Sequence, residues 1–227
     1  MNLTLLSAKT KAAPDEVLGL EENPFSTNKV TGYSLNFPIV GTCQPTKVCG
    51  KTCYFGRGPS TWSPSIAKQV RMLNRIQSDP DGLAAQIAEW TLRLRLPFVR
   101  WHGGGDMTAN SPRCIDGAAT KTPDVPHWVV TRLTALAAEI IPRSNVYVHL
   151  SVDRVSMDKV EIFRAAARPG LRWHFSYQCD VGEVPPPGIA PVVFRNCYRP
   201  QPSENPSKND CPLKLARRHQ WRVRYLP

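Results

Sequence analysis

Three cysteines, Cys43, Cys49 and Cys53, fall within eleven residues in the stretch Cys43-Gln44-Pro45-Thr46-Lys47-Val48-Cys49-Gly50-Lys51-Thr52-Cys53-Tyr54. Thiols this close in sequence can converge on one centre, and soft thiolates select an iron–sulfur cluster or zinc. Lys47 and Lys51 stand beside them and would favour the thiolate form. Zinc sites usually draw on paired C-x2-C units, which this loop lacks. Three thiolates without a local fourth suit a [4Fe-4S] cluster that keeps one iron open. Zinc completed by a ligand from elsewhere is the rival, and unconnected ordinary thiols are the bland alternative.

A second stretch, Arg100-Trp101-His102-Gly103-Gly104-Gly105-Asp106, offers consecutive glycines followed by an acid. Glycines let a ligand approach the backbone, and a carboxylate can receive an amine or a hydroxyl. A tight strand-to-helix turn needs the same glycines. His102, His149 and His174 each fall on or at the end of an apolar run, and alternation puts Arg100 with His102, Tyr147 and Ser151 with His149, and Arg172 and Ser176 with His174. Those side chains would line a polar, basic cavity. A three-histidine metal site is conceivable there, although hydrogen-bonded or substrate-contacting histidines are commoner. Of the remaining thiols, Cys114, Cys179, Cys197 and Cys211, buried inert cysteine is the default; Cys197 and Cys211 are the best candidates for further ligands.

The elements that must position these groups follow from periodicity. Residues 1–31 form an irregular lead-in, and Tyr33 to Val40 alternates as a first strand leading into the cysteine loop. Ser63-Pro64 opens a helix to Ser78 with Ile66, Val70, Leu73 and Ile76 at helical spacing, and a second helix spans Asp81 to Leu94 through Leu83, Ile87 and Trp90. Phe98 to His102 reads as a strand, Val125 to Ile141 as a helix, Asn145 to Val152 as a strand, Met157 to Ala167 as a helix and Leu171 to Gln178 as a strand. Pro185-Pro186-Pro187 is a turn or stiff linker, followed by a short strand from Ile189 to Arg195. Strands alternating with helices predict an α/β fold with parallel strands, a closed or partial (β/α) barrel over 32–197, and a basic C-terminal extension over 198–227. In such folds the loops at the carboxyl ends of the strands carry the site, and both motifs lie there.

The cysteine loop ending in Cys53-Tyr54 and the Gly103-Gly104-Gly105-Asp106 stretch resemble the opening of radical S-adenosylmethionine enzymes. The Cys-Tyr ending and Arg100 to Asp106 are similar, more closely, to a phage family described as gene product 88. The likeness covers roughly Gly32 to Asp106 in motifs. It implies a radical-SAM-like partial barrel with Cys43, Cys49 and Cys53 as cluster ligands. It also implies S-adenosylmethionine on Gly104, Gly105 and Asp106, with Gly103, His102 and Ser151 completing the cofactor-binding set. Reductive cleavage of the cofactor would yield a radical that acts on an unknown substrate, with an external electron donor. The sequence departs from the superfamily in spacing its cysteines C-x5-C-x3-C rather than C-x3-C-x2-C, and in carrying Asp106 where a glutamate is usual.

Composition narrows the setting. The 227 residues carry a net charge of +11, which favours a polyanion such as nucleic acid, a phosphorylated cofactor or an acidic partner. From Lys214 to Tyr225 the chain mixes Arg217, Arg218, Arg222 and Arg224 with Trp221 and Tyr225, a combination suited to stacking on nucleic acid or to an amphipathic end packed on the domain. A basic nucleic-acid-binding protein with a structural metal is therefore the alternative function. No apolar stretch has the length of a membrane span, and the short apolar N-terminus lacks the flanks of a secretory signal, so the expected location is cytoplasmic, with no membrane partner. Seven cysteines in a reducing compartment then point to metal or catalysis rather than disulfides.

Overall fold

The computed structural model describes residues 22–28 and 32–178 together with Pro186, and every one of these lies in a single compact unit. Six strands form one sheet in chain order: β1 (Ser26–Asn28), β2 (Gly32–Leu35), β3 (Val99–Trp101), β4 (His127–Thr131), β5 (Val146–Val152) and β6 (Arg172–Tyr177). β2 to β6 run parallel, and β1 pairs antiparallel with β2. Between them come α1 (Ile39–Thr42), α2 (Lys47–Thr52), α3 (Ser63–Ser78), α4 (Pro80–Arg93), α5 (Ser111–Lys121), α6 (Thr134–Ala138) and α7 (Asp158–Ala166). The fold is thus mixed α/β with a mostly parallel sheet. Among the described residues the sheet has two edges, β1 and β6, and is open.

Strict alternation divides the sheet's two faces. On β4 and β5 every second residue is buried, and Val129, Val146, Val148, Leu150 and Val152 join Leu35, Val99 and Trp101 in the core. Met72, Ile76, Leu83, Ile87, Ile115, Val160 and Phe163 from the helices pack against them. β-Branched residues dominate the central strands because their stiff side chains suit a pleated, buried face. The opposite face carries in-register polar and aromatic rows. Ser34, Arg100, Trp128, Tyr147 and Arg172 form one row, Val130, His149 and His174 the next, and Ser151 with Ser176 the last.

Helices α3, α4 and α7 and strands β3, β5 and β6 lie within a residue or two of their expected positions. Four expectations are corrected. The first strand ends at Leu35, because Pro38 has no N–H for the ladder, and Phe37 N instead donates to Gly104 O at 2.9 Å. On α3 the buried positions are Gln69, Met72 and Ile76, with Ile66 and Val70 exposed. The helix expected over Val125 to Ile141 is a strand, β4, followed by the short α6; the run Val129-Val130-Thr131 favours extended backbone. β1 lies where an irregular lead-in was expected, and α5 occupies a stretch without a clear apolar period. The expected strand Ile189 to Arg195 lies outside the described residues.

Candidate metal centre at the carboxyl edge of the sheet

The cysteine loop leaves β2 through a kinked turn, α1, and its second half is the short helix α2. Thr46 caps α2 by accepting from Cys49 N at 3.2 Å. Cys43 follows α1, Cys49 lies within α2 and Cys53 follows it, and all three thiols are half-buried and unoxidised. Burial pushes the Cys43 thiol up to about 12, and the proximity of Asp106, Cys49 and Cys53 adds to this. Burial also raises Cys49, against the opposing charge of Arg132. Arg132, a cation from outside the loop, is what opposes the rise at Cys49. A metal bound here would displace the protons that burial holds on Cys43 and Cys49, which makes its affinity pH-dependent.

Two anchors hold this loop over the strand ends. Tyr54 Oη donates to the Gly103 carbonyl, and Arg100 Nη2 donates to the same phenol oxygen at 3.3 Å. The residue after the third cysteine is thereby tied to the first residue of the glycine loop. At the other end, the Thr46 hydroxyl donates to Asp153 Oδ2, which also pairs with Arg132 Nη2 at 2.5 Å. Asp153 Oδ1 accepts from Val155 N and Ser156 Oγ, both at 3.0 Å. Burial works against the Asp153 carboxylate, but the Thr46 hydroxyl, the Arg132 charge and Ser156 outweigh it and hold its pKa below the ordinary value. Arg132 and Asp153 immediately follow β4 and β5, where the rule of carboxyl-end loops would have pointed, but no motif marks them.

The glycine loop is packed by the protein itself. His102 has φ +57, a left-handed turn that swings the chain out of β3, with Nδ1 3.2 Å from Val130 O. A Cβ on Gly103 would stand 2.5 Å from Ser34 Oγ, one on Gly104 2.1 Å from the Phe55 ring, and one on Gly105 2.5 Å from Phe37 O. The absent side chains thus admit Phe55, Phe37 and Ser34. Asp106 is 4% exposed; its Oδ1 accepts from Thr131 Oγ1 at 2.5 Å and Met107 N at 2.8 Å, and its Oδ2 from Arg132 N at 3.0 Å. Its own N–H donates to Thr42 Oγ1 at 3.0 Å, which binds the glycine loop to the turn before Cys43.

On the polar face of the sheet the expected grouping is present in part. His149 and His174 are cross-strand partners with ring centroids 4.3 Å apart, and His149 Nε2 is 2.6 Å from Ser176 Oγ. Ser151 sits beyond them opposite Ser176. His102 turns away into a pocket of Phe37 and Trp101. Among the described residues no three His, Cys, Asp or Glu side chains gather closely enough to grip a single metal ion. A further histidine, His127, is fully buried on the core face: Trp101 Nε1 donates to its Nδ1 at 3.0 Å, so the neutral ring carries its proton on Nε2, 2.7 Å from Thr122 Oγ1. Cys114 is buried in the core, as its default implied, and burial raises its thiol well above the ordinary value. Cys179, Cys197, Cys211 and the basic segment Lys214 to Tyr225 lie outside the described residues. Among the described residues no helix is long and apolar enough to cross a membrane.

Taken together, these features define an α/β protein whose cysteine and glycine loops are bonded to each other over the carboxyl ends of parallel strands. The family model described as Gene product 88 matches residues 4–178, and the chain belongs to that family. No curated protein and no solved structure matches it.

Proposed function

We propose that Cys43, Cys49 and Cys53 hold an iron–sulfur cluster, most simply a [4Fe-4S] cluster with one open iron, in an iron–sulfur enzyme of radical-SAM-like architecture acting on a substrate at the carboxyl edge of the sheet. What supports this reading is three soft donors carried by one loop that is anchored at both ends, with Cys49 and Cys53 near enough to Cys43, and Cys53 to Cys49, to add to the rise of those two thiols. The donor set is wholly soft, which suits iron–sulfur. A cluster spreads its thiolates over separate corners, so it does not demand the tight gathering that a single zinc ion does. Such a cluster would supply electron transfer or an open iron for a ligand. The chain's own contribution is to orient the loop through Tyr54 and Thr46 and to keep the thiols half-shielded from water.

The consecutive strand order supports a partial β/α barrel, because parallel strands joined in sequence by right-handed crossovers place all their helices on one face. S-adenosylmethionine does not fit the glycine loop as folded here. Phe55 covers Gly104, and the Asp106 carboxylate is already engaged by Thr131, Met107 and Arg132. A cofactor on that ledge would need Phe55 to leave it.

The test is anaerobic purification with iron and acid-labile sulfide analysis. The expected result is a brown protein with matched iron and sulfide, colourless when Cys43, Cys49 and Cys53 are replaced by alanine. Stoichiometric zinc without sulfide, or iron unaffected by the triple substitution, overturns the proposal. Release of 5′-deoxyadenosine under reductant separates a turning-over enzyme from a cluster-bearing protein that lacks it.

A further inference from the structure

Arg100 projects from β3 onto the polar face of the sheet and is only 8% exposed. Its Nη2 reaches Tyr54 Oη at 3.3 Å, but Nε and Nη1 are buried without any hydrogen-bond partner. It makes no ion pair among the described residues, and the group beneath its guanidinium is the Trp128 ring, 5.2 Å from the charge. Buried arginines are normally paired, because removing a guanidinium from water without compensation is costly. Tyr54 and the Trp128 ring compensate it only in part, and no described neighbour carries the opposite charge. His149 lies close enough for the Arg100 charge to help hold its pKa at about 3, behind burial and alongside His174, so the ring is neutral at physiological pH. His149 Nδ1 is itself buried without a partner, while its Nε2 is taken by Ser176. A permanent cation, a neutral imidazole and two sets of unused polar atoms therefore meet on one sheet face.

We infer that this face binds an oxyanion, a carboxylate or phosphate group of a small ligand, on Arg100, with His149 donating or accepting one further hydrogen bond and Trp128 and Tyr147 walling the ligand's body. An oxyanion satisfies the orphaned Nε–H and Nη1–H donors together with the charge, which a neutral group cannot. The neutral His149–His174 pair accommodates the anion without adding a second buried charge. The site lies on the polar face of the sheet and does not depend on the thiols binding anything.

The inference is tested on the full chain, as purified, by titration with inorganic phosphate and separately with succinate at constant ionic strength, following the Trp128 indole N–H resonance assigned from W128F. At least one of the two is expected to shift that resonance saturably. Preference for phosphate identifies a phosphate ester as the ligand class, and preference for succinate a carboxylic acid. Arg100→Gln is expected to weaken the response by roughly tenfold or more, the factor carried by a lost charge-assisted hydrogen bond. Linear, non-saturating shifts with both anions overturn the inference, as does an R100Q protein that binds as tightly as the wild type. Should R100Q fail to fold, the wild-type titration decides alone, because a buried arginine that serves only the fold gives no saturable shift.

Discussion

Arg132 and Asp153, which follow adjacent parallel strands, meet in an ion pair at 2.5 Å with side chains only 11% and 0% exposed, and the same carboxylate oxygen receives the Thr46 hydroxyl from the cysteine loop. The pair therefore couples the strand ends to the loop. Breaking a buried pair by removing one partner leaves an uncompensated charge and costs about 3–5 kcal/mol, whereas losing an N-cap costs about 1 kcal/mol. Asp153→Ala should thus lower unfolding free energy in urea several times more than Thr46→Ala. Both should speed alkylation of Cys49 in the folded protein. Equal, small effects of the two substitutions on stability would remove Asp153 from this role.

Tyr54→Phe removes the donor to Gly103 O and the acceptor for Arg100 Nη2 while keeping the ring. Because the Tyr54 side chain is largely exposed, water can replace it at Gly103, so the loss falls mainly on Arg100 Nη2 and should stay within about 1–3 kcal/mol. The loop it anchors should suffer more than the fold. If the loop holds the proposed cluster, the expected signature is a modest fall in the urea midpoint combined with faster loss of iron to a chelator; unchanged iron retention would show that Tyr54 does not position the loop.

The two motif loops and most of the strands were legible because each announces itself locally: clustered thiols, consecutive glycines, and alternation through Tyr147, His149 and Ser151. Parity put His149 and His174 each on a polar face of its strand, but their direct pairing comes from the register of β5 and β6, which parity does not fix. β4 was not legible, because Val129-Val130-Thr131 runs directly toward the helical Thr134-Ala135-Leu136, and the two merge into one apolar segment. α5 carries Ser111-Pro112, the same opening as Ser63-Pro64 on α3, but buries small residues such as Ala118 and Ala119 that leave a weak apolar period. Arg132 and Asp153 escaped for a different reason. A single charge at a strand end has no spacing of its own, and its meaning appears only when parallel pairing brings two such ends together. Phe55 on Gly104 is likewise a tertiary contact that glycine spacing alone does not distinguish from an open ligand ledge.

Acid should destabilise the protein through its histidines. Burial lowers His102 and His127 to about 4 and His149 to about 3, with His174 also lowered by burial. A histidine whose folded pKa lies below its unfolded value near 6.5 binds fewer protons when folded, so its contribution is complete above about pH 6.5 and is lost as pH falls toward the folded value. At pH 5, His102 and His127 should each cost on the order of 2 kcal/mol. Urea midpoints at pH 7, 6 and 5 should fall progressively, and His127→Gln should flatten part of that fall. A pH-independent midpoint across this range would mean that these rings take up protons as readily in the folded protein as in the unfolded chain.

The contact between Phe55 and Gly104 can be separated from backbone strain by a pair of substitutions. Gly104→Ala would place a methyl carbon 2.1 Å from the Phe55 ring, an overlap relieved only if the ring swings away. Overpacking of this kind costs about 1–3 kcal/mol. Replacing Phe55 by alanine removes the obstacle, so Gly104→Ala should be nearly neutral in the Phe55→Ala background, giving a coupling energy of about 1 kcal/mol or more in a double-mutant cycle. Gly105→Ala should behave differently, because Gly105 has φ +76 and its new methyl would meet the Phe37 carbonyl 2.5 Å away. That obstacle is backbone in a conformation costly to L-residues, so Phe55→Ala should not rescue it. Additive energies for Gly104 and Phe55 would show that the ring does not rest on the glycine. The ledge would then be open, and the glycine loop could receive a cofactor without displacing Phe55.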